Sequence, residues 1–82
     1  MQVAVDHITV RNGDQVIAEV AKAFSTGDHV IDFSRVTHVD STVLAVILAA
    51  RRVLKSDKTL ELRHRPAQLD SLIAAYGVQS LF

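Results

Sequence analysis

The chain has 82 residues, no cysteine, 49% hydrophobic residues and a formal net charge of zero. That length fits one domain with a modest core, and the apolar fraction is that of an ordinary globular protein rather than a disordered one. The missing cysteines exclude disulfides and thiolate metal sites, and the zero net charge argues against non-specific binding to nucleic acid or an anionic membrane.

Val3 and Val5 alternate with polar neighbours, as do Ile8 and Val10, but the two alternations are out of phase. A strand interrupted by a bulge or turn near Asp6-His7 accommodates both. Asn12-Gly13-Asp14 reads as a turn and helix start. Val16, Ile17, Val20, Ala21 and Phe24 then recur at helical spacing, and Gly27 is placed to cap the helix. The N-terminal residues carry neither a basic segment nor a long apolar run, so no signal peptide is expected.

His29 to Phe33 reads as a central strand. Val30 and Ile31 point to opposite faces, which predicts cover on both. A six-residue polar connection leads to Asp40-Ser41-Thr42, where a second helix begins and runs to about Lys55. This start predicts a hydroxyl beside free backbone N–H groups, suited to an anion or a covalently added phosphate. The alternative is capping by Asp40 or Ser41 alone.

A helix lying on a sheet needs only a narrow apolar stripe, which Leu44, Ile47, Leu48 and Leu54 can supply. Val43, Val46, Ala49 or Ala50, and Val53 are partly in excess. Either neighbouring helices shield them or they form an exposed patch for a protein partner.

Thr59 to Arg63 reads as a strand with Leu60 and Leu62 inward. Pro66 fits the first turn of a third helix. Leu69, Leu72, Ile73 and Tyr76 form its core-facing stripe, Gly77 ends it, Val78 folds back on it, and Leu81 and Phe82 close the sheet or cap the core. The alternation predicts a single α/β domain over residues 1–82, with a mixed, mostly parallel sheet and the order β-α-β-α-β-α.

Charge is uneven along the chain. Asp6, Asp14, Glu19, Asp28, Asp32 and Asp40 outnumber Arg11, Lys22 and Arg35 in residues 1–40. Arg51, Arg52, Lys55, Lys58, Arg63 and Arg65 outnumber Asp57, Glu61 and Asp70 afterwards. The later cluster is either a solvated helix end complementing its dipole or a basic edge for an acidic partner surface. His38, Asp40 and Ser41 supply the residue types of a hydrolytic triad, but three residues in one tight connection can hardly converge as a triad must, and no nucleophile elbow is present. The four histidines lack metal-ligand spacing, so no metal, cofactor or catalytic residue is expected.

The stretch Val-Ile-Asp-Phe-Ser-Arg-Val-Thr-His-Val-Asp-Ser-Thr-Val-Leu, residues 30–44, resembles the signature of the STAS family. There a hydrophobic strand ending in Asp, an apolar residue and Ser leads to a helix start of an apolar residue followed by Asp-Ser/Thr-x-Gly-Leu. Weaker likeness continues through Leu60-Glu61-Leu62, Pro66 and the closing Gly-Val-x-x-Leu-Phe, so it spans about residues 8–82.

The resemblance implies an α/β module with helices on one side of its sheet. It also implies an interaction role, in one of two forms. In Mla-type subunits a short STAS protein binds the cytoplasmic ATPase of a phospholipid-transporting ABC complex around this helix start. In anti-sigma factor antagonists the Ser after the Asp is phosphorylated by a partner kinase, which ends binding. Asp40, Ser41, Thr42 and Leu44 match the motif, and Ser41 is the matching phosphoacceptor or switch.

Val43 stands where the family usually has Gly, and only about ten residues precede Arg11. Both departures favour the Mla-like form over the kinase switch. The expected protein-binding surface comprises Asp40, Ser41, Thr42, Val43 and Val46, with Arg51, Arg52 and Lys55 at its rim. The expected setting is cytoplasmic, or peripheral at the inner membrane through a protein complex, with no membrane insertion and no nucleic-acid partner.

Overall fold

A computed structural model describes residues 1–78. Its elements are β1 (His7–Ile8), α1 (Gly13–Ser25), β2 (Val30–Asp32), β3 (His38–Val39), α2 (Thr42–Val53), β4 (Glu61–Arg63) and α3 (Ala67–Tyr76). The α/β class and the alternation of strands and helices agree with the sequence. The connection after β2 differs in one respect: it contains the short strand β3.

All strand pairings among the described residues are parallel. His7 and Ile8 pair with His38 and Val39, while Val30, Ile31 and Asp32 pair with Glu61, Leu62 and Arg63. Residues 1–3 lie along β2 through a parallel bridge between Gln2 and Asp32. The Asp32 N–H donates to the Met1 carbonyl at 2.9 Å and the Val3 N–H to the Asp32 carbonyl at 3.0 Å. The first eight residues thus run between β2 and β3, giving the order β4, β2, N-terminal segment, β3.

This arrangement explains the phase shift near Asp6. The chain leaves β2 after Val3 and joins β3 at His7, and both Val3 and Ile8 reach the core. At the break, the Asp6 carbonyl accepts from the Thr37 and His38 N–H groups at 2.8 and 3.2 Å.

The core gathers Val3, Ile8, Ile31, Phe33, Val36 and Val39 with Val16, Val20 and Phe24 of α1, five residues of α2, and Leu69 and Ile73 of α3. Ile31 is fully buried and Val30 only half-buried, so the face of β2 that carries Val30 is less covered than expected.

Two helices end as their glycines predict. Gly27 (φ +108°) and Gly77 (φ +65°) sit in the left-handed region that costs a Cβ-bearing residue. At each, paired bonds close the last turn: Gly27 and Asp28 N–H to the Phe24 and Ala23 carbonyls, Gly77 and Val78 N–H to the Ala74 and Ile73 carbonyls.

Tyr76 departs from the expected core stripe and is 59% exposed. The turn at Gly77 brings Val78 against the core instead. Leu81 and Phe82, expected to close the sheet or cap the core, lie outside the described residues. No helix among the described residues is long and apolar enough to cross a membrane.

Candidate functional site

Both α1 and α2 begin at the carboxyl edge of the parallel sheet, beside the ends of β1 and β3. Asp40 organises this edge. Its N–H donates to the Ile8 carbonyl at 3.1 Å, Oδ1 accepts the Thr42 N–H at 2.8 Å, and Oδ2 accepts the Val10 N–H at 3.1 Å. Hydrogen bonds from the Thr42 side chain and backbone hold its carboxyl below the usual carboxylate range, against partial burial and with help from the Val10 N–H.

The Asp40 carbonyl accepts the Val43 N–H and the Ser41 carbonyl the Leu44 N–H, each at 3.1 Å. The N–H groups of Thr42, Val43 and Leu44 are therefore already engaged. This corrects the expectation of free N–H groups for an anion: the carboxylate of Asp40 takes the place an anion would fill.

Ser41 precedes the helix with helical dihedrals (φ −61°, ψ −14°) and makes no side-chain capping bond. Its hydroxyl is exposed and takes part in no hydrogen bond among the described residues. Capping falls to Asp40, which leaves the Ser41 Oγ open to solvent or to a partner.

The structure brings to this edge residues that the sequence read only as a turn or as strand positions. Asn12 accepts the Thr9 N–H through Oδ1 and donates from Nδ2 to the His7 carbonyl, both at 2.9 Å, fixing the loop whose Val10 N–H meets Asp40. Gly13 is buried where α1 meets α2. A Cβ there would lie 2.3 Å from Thr42 Cγ2. The only sequence signal was the Asn-Gly pair, which marks a turn without showing that a second helix packs on it. Val10, 81% exposed, stands beside Asp40 as a surface apolar residue.

Along α2 the expected docking face divides. Val43 and Val46 are 0% exposed, so neither forms a surface patch; with Leu44, Ile47 and Ala50 they are enclosed by the sheet and by α1, which packs along α2. The outward residues are Ser41, Ala45, Leu48 (40% exposed) and Arg52. Their spacing of four, three and four residues makes one continuous stripe. Arg51 and Lys55 are also exposed, toward the far end of the helix.

No hydrogen bond among the described residues links His38 with Asp40 or Ser41 as a triad would require. His7 contacts Asp6 at 2.8 Å, His64 contacts Asp32 at 3.1 Å, and His29 contacts the Thr59 carbonyl at 3.2 Å. Among the described residues, no group of three His, Cys, Asp or Glu could hold a metal ion. A groove of about 360 Å³ between β3 and α3 is lined by Val39, Ala67, Gln68, Ser71 and Leu72, none of them an ionisable group.

A family model described as "Mlab, STAS domain" matches residues 4–82. No curated protein and no solved structure matches the chain.

Proposed function

Since the chain belongs to the STAS domain family, a family of non-catalytic interaction modules in general, we propose that it is an Mla-like subunit. Its partner is the ATPase of an ABC-type phospholipid transport complex, bound through the surface that begins at Ser41. The observation that carries this reading is the unused hydroxyl of Ser41, released by Asp40 from capping and set at the head of an exposed helix stripe.

Ser41, Ala45, Leu48 and Arg52 form the contact line. Asp40 and Thr42 fix its start, Val10 extends it beyond the helix, and Arg51 and Lys55 form a rim. Leu48 and Val10 exclude water on contact, and the rim charges set orientation and on-rate. Val43 and Val46 act from beneath by holding α2 on the core. The matched family model's description supports the Mla-like form.

The second reading is an anti-sigma factor antagonist with Ser41 as phosphoacceptor. The same open hydroxyl favours it, and so does Val43: its side chain is turned into the core, so its bulk does not screen the surface around Ser41. A phosphoryl group there would add a charge of about −1.5 to −2 beside the Asp40 carboxylate and repel a partner seated on the stripe.

Mass spectrometry of proteins captured from native extract separates the two. Capture of an ABC-type ATPase by the wild type, lost with Ser41→Asp, supports the transporter subunit. Capture of a histidine-kinase-like protein, with phosphate on Ser41, would replace it with the switch. Retention of the ATPase by Ser41→Asp would remove Ser41 from the interface.

A further inference from the structure

The formal charge is zero, yet the topology separates the charges. Each helix follows a parallel strand and runs back toward the amino edge of the sheet, so the three helix C-termini share that edge. Lys22 lies in the last turn of α1, and Arg51 and Arg52 in the last turn of α2. Lys55 and Lys58 occupy the following turn, closed by a 3.0 Å bond from the Lys58 N–H to the Lys55 carbonyl.

All five bases are exposed, and none joins an ion pair among the described residues. Arg63 and Arg65, by contrast, pair with Glu61 and Asp70. The acids at the amino edge are Asp28, whose carboxylate accepts the His29 and Val30 N–H groups and pairs with the Met1 ammonium, Glu61, paired with Arg63, and Asp57.

The helix dipole does not absorb this charge. Each C-terminus supplies about half a negative charge, and its influence fades within the last turn. Lys22, Arg51 and Arg52 lie within reach of it, but Lys55 and Lys58 follow the helix end at Leu54. Tyr76, 59% exposed, closes α3 toward the same edge. The groove of Val39, Ala67 and Gln68 lies at the start of α3, toward the opposite edge.

We propose that this amino edge rests on an anionic membrane surface. The edge offers long, exposed cationic side chains and an amphipathic ring. Charge of that kind, without a shaped cavity, suits a fluid array of phosphate headgroups better than a folded acidic surface. The contact is peripheral, since no described helix can span a bilayer. It turns the Ser41 end of α2, about 18 Å away along the 12-residue helix, toward the protein side. Arg51, Arg52 and Lys55 also border the Ser41 surface, but Lys22 and Lys58 belong to this edge alone, so the inference does not rest on the Ser41 reading.

The test is co-sedimentation of the full chain with vesicles of phosphatidylglycerol and phosphatidylcholine in equal parts, and with pure phosphatidylcholine. Binding is expected to the mixed vesicles only, and to vanish at high salt. Each base removed should weaken it about fivefold. Lys55→Gln with Lys58→Gln should therefore weaken it about 25-fold at unchanged melting temperature, and Ser41→Asp should leave it unchanged. Failure to sediment with the mixed vesicles, equal binding by the double variant, or tighter binding to duplex DNA than to the vesicles would each overturn the proposal.

Discussion

Asp40 ties the end of β1 to the start of α2 by accepting the Val10 and Thr42 N–H groups. Its folded-state carboxyl titrates below its unfolded value. The resulting stabilisation is complete above the unfolded value of about 3.9 and is lost as pH falls through the lower folded value. Asp40→Asn should therefore melt lower than wild type at neutral pH, by about 1–2 kcal/mol of stability. The two proteins should converge in acid. A pH series of melting temperatures checks this, and parallel curves would deny Asp40 its role. The Asp-Ser-Thr pattern revealed a helix start in the sequence, but not which of two good caps serves it. That depends on Val10 arriving from a distant part of the chain, which no local pattern records.

Among the elements, α1 and α2 pack against each other, and at their first residues Gly13 faces the Thr42 methyl. Gly13→Ala would force a contact 2.3 Å from Thr42 Cγ2, and should destabilise by about 1–3 kcal/mol. Thr42→Ser in that background removes the methyl and leaves Thr42 Cβ at 3.7 Å. The double variant should regain most of the loss in denaturant unfolding, whereas an additive loss would place the strain elsewhere.

The same packing reverses the expected surface role of Val46. Val46→Glu would bury an unpaired carboxylate and should unfold the domain or destabilise it by more than about 3 kcal/mol. A wild-type melting curve for that variant would contradict the burial. Hydropathy correctly showed α2 to be apolar on more than one face. Periodicity alone could not decide between cover by α1 and an open patch, because the excess residues look the same in both cases. Tyr76 misled for the complementary reason: it fits the helical stripe, but the left-handed turn at Gly77 substitutes Val78 at the core.

For the molecule as a whole, the parallel order β4, β2, N-terminal segment, β3 places every helix start at one edge and every helix end at the other. The alternation of elements was legible because each helix carries its own apolar stripe and the glycines after α1 and α3 mark their ends. The strand β3 was not, since His38 and Val39 are too few to show a period, and their pairing with β1 is made across about thirty residues. One sequence feature, the basic run after α2, acquires meaning only in this topology, which gathers it with Lys22 at one end of a neutral chain.

A protein partner is expected on the Ser41–Ala45–Leu48–Arg52 stripe. Amide hydrogen exchange of the chain, alone and with the ATPase captured by it, tests this most directly. Exchange should slow over residues 40–52 and the Val10 loop, and Leu48→Glu should abolish that protection while keeping its fold. Protection confined to α3 and its groove, with residues 40–52 unchanged, would contradict it.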